Sequence, residues 1–301
     1  MEMKPVVARF VSVVVLSAAV FQSVAADISL GSRFSPLEKL KGVVESSESL
    51  KKTTDGFAKA VEDITPENEY YIGRSVAATI LTNYKTYTNP SLEQYLNEIC
   101  QTLVLNSGMP EIYNGYHVKL LDSSEVNAFA TSGGHIFVTR GLVACTASED
   151  ALASVLAHEI GHIQLKHGLK AIKSSRFADA SRQAVSTISS AAGLSGPAQA
   201  LDGMTGDIVN QMMECGYSKT QEYEADSFAA SLLFTSGYNP YGIVDMLTAL
   251  DKKQEGKTTG FYKTHPAPKS RITKLDAQLR TYHHCSSSEI RNQRFNKVLG
   301  R

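Results

Sequence analysis

Apolar residues Leu152, Val155, Leu156 and Ile163 recur at near-helical spacing through Glu149–Gly168, which predicts a helix there. Upstream, Thr65-Pro66-Glu67 reads as a helix start, with Thr65 as the cap and Pro66 in the first turn; that helix should run to about Tyr84. Asn89-Pro90 breaks the chain, and Ser91–Leu105 reads as a second helix. Three β-prone runs follow, at His117–Leu121, Val126–Ala130 and His135–Thr139. The last two flank Thr131-Ser132-Gly133-Gly134, a hairpin signal. Thr146-x-x-Glu149 reads as a capping box opening the 149–168 helix, and Ser218-x-x-Gln221 as another, opening a helix that ends near Phe234. Asn239-Pro240 starts a helix that ends near Leu250, and a last one passes through Arg271 and Leu275. Residues 173–213, rich in Ser, Ala and Gly, read as a weak helical pair. The pattern predicts an α+β fold, a small sheet followed by mostly helices.

The first residues change the picture of where this fold resides. Lys4 and Arg9 precede an apolar run from Phe10 to Phe21, and Val24-Ala25-Ala26 offers small residues before Asp27. Residues 1–26 are read as a signal peptide, with a retained anchor as the alternative. Residues 27–60, rich in Ser and Lys, are read as an N-terminal extension, and 61–301 as one catalytic domain. No later run is long and apolar enough to span a bilayer, so no integral span is expected in the mature, exported chain. Of 301 residues, 43% are hydrophobic and 20% charged, and 30 basic residues balance 30 acidic ones. That balance gives no electrostatic case for a nucleic-acid partner or an anionic membrane surface. Four cysteines, Cys100, Cys145, Cys215 and Cys285, permit disulfides in an exported chain but lack metal-site spacing.

The chemistry lies on the 149–168 helix, in His158-Glu159-Ile160-Gly161-His162. Two imidazoles four residues apart on a helix share a face and can hold one Zn²⁺ ion, while the intervening acid reaches a water rather than the metal. A hydrolytic zinc needs a third protein ligand. Glu222-Tyr223-Glu224-Ala225-Asp226 supplies it: Glu222 and Asp226 share a face, and Glu224 lies about 200° round from Glu222. Glu222 is assigned to the metal, and Asp226 to the free ring N–H of a ligating histidine. His167, nine residues beyond His158, is expected to face away from the metal, and His117 and His135 to be packed or exposed on strands. Leu165 and Gly168 stand where a three-histidine site would need Gly and His. His265, before Pro266, and Arg271 are candidate donors near a developing oxyanion, against the plainer reading of a surface loop.

Taken together, His158-Glu159-x-x-His162, the Glu222–Asp226 segment and Thr264-His265-Pro266 with Arg271 resemble metallopeptidase family forty-eight. That family holds HtpX heat-shock proteases, CAAX prenyl proteases, mitochondrial Oma-type proteases and periplasmic BepA-like proteases. The resemblance covers about residues 60–280 and includes Val126–Ala130 with Gly133–Val138. It implies a gluzincin-type fold whose sheet edge, lined by Asn127 and Ala128, takes substrate by strand addition. It also implies that His265 can occupy the fourth zinc position and that Arg271 is the family's nearby arginine. Membrane helices and a C-terminal helical-repeat domain, present in some members, are not seen in this sequence. The resulting expectation is a zinc endopeptidase of the periplasm, or a secreted one. Its cofactor is one Zn²⁺, its partners are polypeptide substrates, with envelope or outer-membrane proteins as clients, and Glu159 is its general base. The alternatives are a chaperone-like binding protein with a capped, non-catalytic zinc, and a zinc hydrolase of non-peptide amides.

Overall fold

The computed structural model describes residues 64–171, 216–253, 265, 267–282 and 289–301. The expected signal peptide, the 27–60 extension, the 173–213 segment, Thr264, Pro266, Cys215 and Cys285 lie outside them. Elements follow in the order α1 (Pro66–Asn83), α2 (Pro90–Leu105), β1 (His117–Leu121), β2 (Ala128–Ala130), β3 (His135–Thr139), α3 (Arg140–Cys145), α4 (Glu149–Gln164), α5 (Lys219–Thr235), α6 (Gly242–Lys253), α7 (Pro268–Leu279) and α8 (Glu289–Leu299). This is the expected small sheet with mostly helices around it. No described helix is long and apolar enough to cross a membrane.

The caps explain why the boundaries fall where they do. Thr65 and Asn89 accept backbone N–H groups at the starts of α1 and α2, each with proline in the first turn. Ser218 and Gln221 form the expected reciprocal capping box of α5. The expected box at Thr146 does not form. Thr146 instead closes α3, Ser148 caps α4, and Glu149 is buried, accepting from the Tyr95 hydroxyl at 2.6 Å and from Arg294 Nε at 2.8 Å. A pairing that ties α4 to α2 and α8 thus wins over a local cap. Helix α6 begins two residues after Pro240, because Asn239 Oδ1 accepts from Tyr241 N and Asn239 N donates to Asp150 Oδ1.

The sheet has the order β1-β3-β2, with β1 parallel to β3 and β2 antiparallel to it. Gly133 (φ 79°) and Gly134 (φ 95°) supply the left-handed backbone of the hairpin turn. Strand β2 is shorter than the expected Val126–Ala130, because Asn127 N donates to the Thr139 hydroxyl rather than to a ladder carbonyl. Thr139 N donates to Asn127 O, and Thr131 N to His135 O. By antiparallel alternation, residues 127, 129 and 131 turn their backbone groups to β3, and Ala128 and Ala130 turn theirs to the opposite edge. Asn127 Oδ1 accepts from Ala128 N at 3.0 Å.

Helix α4 is the axis of the core. Every residue from Glu149 to Ile163 is buried, and α2, β2, α5 and α6 pack around it. A helix covered on all sides cannot show a clean amphipathic stripe. Its packing against α5 is close, since a Cβ on Gly161 would lie 3.3 Å from Ala225 Cα. The glycine inside the histidine motif and the alanine inside the acidic one are therefore what let the two helices approach.

Candidate metal centre

That close crossing brings the two motifs together. Glu222 and Asp226 sit on either side of Ala225, one helical turn apart, and face His158 and His162 across the contact. His158 Nε2 lies 3.0 Å from His162 Nε2 and 3.6 Å from Glu222 Oε2; His162 Nε2 lies 3.4 Å from Glu222 Oε1. His265 completes the group with Nδ1 2.8 Å from Glu222 Oε2. Donor atoms of His158, His162, Glu222 and His265 all fall within 4.8 Å of one another, and all four residues are buried.

The donor set fits a zinc ion. Nitrogens and a carboxylate oxygen are the ligands zinc takes at four-coordinate sites. Imidazoles this close around a carboxylate are stable only if they share a proton or a cation. Glu222 Oε1, buried at the point of convergence, has no hydrogen-bond partner. Such an orphaned acceptor carries a desolvation cost that a metal bond would remove.

The surroundings set the protonation of His158 and Glu222. Burial first, and then the charge of Arg271, push the His158 pKa down to about 3, so its imidazole is neutral. His158 Nδ1 lies 3.0 Å from Asp226 Oδ1, which suits a ring N–H donating to a carboxylate. Arg271 donates to the same carboxylate through Nε at 2.7 Å and Nη2 at 2.6 Å, a two-pronged contact, and its Nη1 lies 3.5 Å from Glu222 Oε2. Burial alone would raise both carboxylates. The Arg271 charge holds Asp226 well below the usual range, and the neighbouring His265 imidazole does the same for Glu222. Glu159, buried with Oε1 lacking a hydrogen-bond partner, is pushed upward by burial despite the neighbouring His162 and His265 imidazoles and the Arg271 guanidinium.

The seven residues assigned from sequence to the metal and its chemistry thus lie in one buried cluster, while Ala128 opens β2, the outer strand of the sheet among the described residues, and Asn127 precedes it, both buried. His265 is buried rather than on a surface loop, and Arg271 reaches Asp226 first. One expectation needs correction: His167 stays outside the donor group, as expected, but is not turned away from the site. Its Nδ1 lies 2.9 Å from His162 Nδ1 and its Nε2 lies 3.1 Å from Glu224 Oε2. The expectation assumed helix to Gly168, but α4 ends at Gln164 and Lys166 is left-handed (φ 58°), which folds His167 back beneath His162. A lysine in that conformation is uncommon and leaves no sequence signal. Tyr217 was also missed; its ring stacks on His162 with centroids 4.1 Å apart and planes at 16°.

Residues 90–279 match the sequence model of peptidase family M48. The chain is 28% identical over 229 residues to the beta-barrel assembly-enhancing protease of Yersinia pestis, covering 73% of this chain and 45% of that protein. It is 27% identical over 226 residues to the mitochondrial metalloendopeptidase OMA1 of Schizosaccharomyces pombe, covering 72% and 63% respectively. With the metalloprotease YcaL of Escherichia coli it shares 32% identity over 148 residues, 49% of this chain and 56% of that one. The chain spans about half the length of the first of these relatives.

Proposed function

This chain belongs to peptidase family M48, and from that membership we propose that it is a zinc-dependent endopeptidase acting on proteins of the cell envelope. The observation that carries the reading is the buried convergence of His158, His162, Glu222 and His265 beside an intact Glu159. A purely structural site would have no use for that acid. The relatives' names, a beta-barrel assembly-enhancing protease among them, support an envelope role with outer-membrane proteins among the clients.

His158, His162 and Glu222 would hold the zinc ion. Bound there, zinc would acidify a water and polarise a peptide carbonyl. Glu159 takes a proton from the attacking water and returns it to the leaving amine; burial, by raising its pKa, brings the carboxyl nearer the working pH for both transfers. Asp226 orients His158, and Arg271 holds Asp226. Substrate would lie extended along β2, pairing with the Ala128 carbonyl and the outward backbone of Ala130, the Ala128 N–H being donated to Asn127 Oδ1. A gluzincin-type lobe arrangement, and a domain running from 61 to 301 behind a removed signal peptide, complete the proposal.

Two variants test the roles. Asp226→Asn should keep the fold yet lower zinc affinity or turnover by roughly 10- to 100-fold, because a charged acceptor for the His158 ring is lost. Unchanged values would return Asp226 to a purely structural part. His265 has two readings. Its place within the donor group favours a cap that excludes water from the metal at rest, in which case His265→Ala should raise casein cleavage at matched zinc content. A fall in cleavage with zinc retained would instead assign it to the developing oxyanion. Equal rates would reject both. The binding-protein alternative predicts a wild type that holds zinc yet cleaves casein no faster than Glu159→Gln.

A further inference from the structure

A second line of contacts runs behind the metal cluster. From His162 it passes through His167 to Glu224. His167 is fully buried, whereas the Glu224 side chain is 48% exposed. If His162 gives Nε2 to a metal, its proton must sit on Nδ1. That N–H can only donate, so His167 Nδ1 must accept. His167 then carries its own proton on Nε2, where the Glu224 carboxylate accepts it. One arrangement of protons satisfies all three groups.

The backbone is shaped for this line. The left-handed Lys166 reverses the chain after α4, and its ammonium is held by Glu69 of α1 at 2.6 Å. The reversal places the His167 ring 5.0 Å from that of His162, at 70° to it. Tyr217 covers a face of the same His162 ring. The imidazole is thus fixed at its rear edge by His167 and on one face by Tyr217.

We propose that His167, held by Glu224, is the positioning residue for His162, selecting the tautomer and ring orientation that present Nε2 to the metal. Asp226 serves His158 directly, carboxylate to ring. On the other side of the site the carboxylate sits one imidazole further out, so an exposed acid on α5 reaches a buried ligand on α4 through His167. The inference rests on the zinc reading of the cluster and deepens it. Removing His167 should weaken metal retention although no ligand is touched.

The test is the zinc dissociation constant, measured by competition with a chromophoric chelator, for wild type and for His167→Leu, His167→Gln, Glu224→Ala and Glu222→Ala in the full chain. His167→Leu fills the space without an acceptor and should bind zinc roughly 10- to 100-fold more weakly. His167→Gln offers a carbonyl to the same N–H and should recover to within about threefold of wild type. Glu224→Ala frees the His167 tautomer and should cost about three- to tenfold. A merely structural role would not separate Gln from Leu, so equal weakening in both folded variants overturns the proposal. So does a folded His167→Leu within about twofold of wild type. Should the His167 variants fail to fold, Glu224→Ala decides, since its half-exposed side chain can be removed without disturbing the core; wild-type affinity there overturns the proposal. Tight zinc in wild type, lost in Glu222→Ala but kept in His167→Leu, would remove this inference alone. Absence of zinc binding in wild type would remove the zinc reading with it.

Discussion

Glu159→Gln is expected to lower peptide cleavage by roughly 10²- to 10⁴-fold while zinc stays in place. The substitution preserves size and hydrogen-bonding shape and deletes the one property the reaction asks of this residue, a proton that can come and go. Glu159 is buried, and Oε1 has no hydrogen-bond partner. Its amide counterpart therefore breaks no hydrogen bond made through that oxygen, and thermal unfolding should barely move. Glu222→Ala provides the contrast: it removes a proposed metal ligand, so zinc and cleavage should disappear together. Metal analysis and casein digestion of the two variants separate the roles. Cleavage by Glu159→Gln at the wild-type rate would sink the general-base assignment, and near-stoichiometric zinc in Glu222→Ala would sink the ligand assignment.

How far the sequence reached differs from residue to residue, for physical reasons. His158, Glu159, His162, Glu222 and Asp226 were legible because a helix converts spacing into direction, and four residues is about one turn. The caps at Thr65 and Ser218 were legible for a similar reason, since they are satisfied within three residues of themselves. Thr146 was misread because Glu149 is claimed by Tyr95 and Arg294, neighbours that no local pattern announces. Helix α8 escaped notice because, of its side chains, Phe295 is the buried one, too little for a stripe. His167 was misplaced because one left-handed lysine ends α4 before it. The spacing of Gly161 and Ala225, small residues at the core of each motif, carried the information that the helices cross there. It is readable only once the crossing is known.

The same crossing collects charge, and that leads to the largest expected effect on stability. Arg271→Met should destabilise the metal-free protein by about 3–5 kcal/mol at neutral pH, because it leaves buried carboxylates without their cation. Arg271 is buried with Asp226, which it grips through Nε and Nη2, and its Nη1 lies 3.5 Å from Glu222. In wild type burial would raise the Asp226 pKa, but Arg271 holds it below the usual carboxylate range. A carboxylate whose folded pKa lies below its unfolded value stabilises the fold above about pH 4 and loses that contribution as pH falls toward the folded value. Without Arg271, burial is the term left unopposed, and the folded pKa of Asp226 should rise above the unfolded one. The sign then reverses: the variant is penalised most at neutral pH and relieved as Asp226 takes up a proton. The gap between the two proteins should therefore narrow on acidification, first as the variant recovers and then as wild type weakens. Arg271→Lys, which restores the charge without the fork, should recover part of the loss. Urea midpoints of chelator-treated protein at pH 7 and pH 4 read all three. A neutral-pH gap below about 1 kcal/mol, or one that widens in acid, would show that Arg271 is not what makes two buried acids tolerable before the metal arrives.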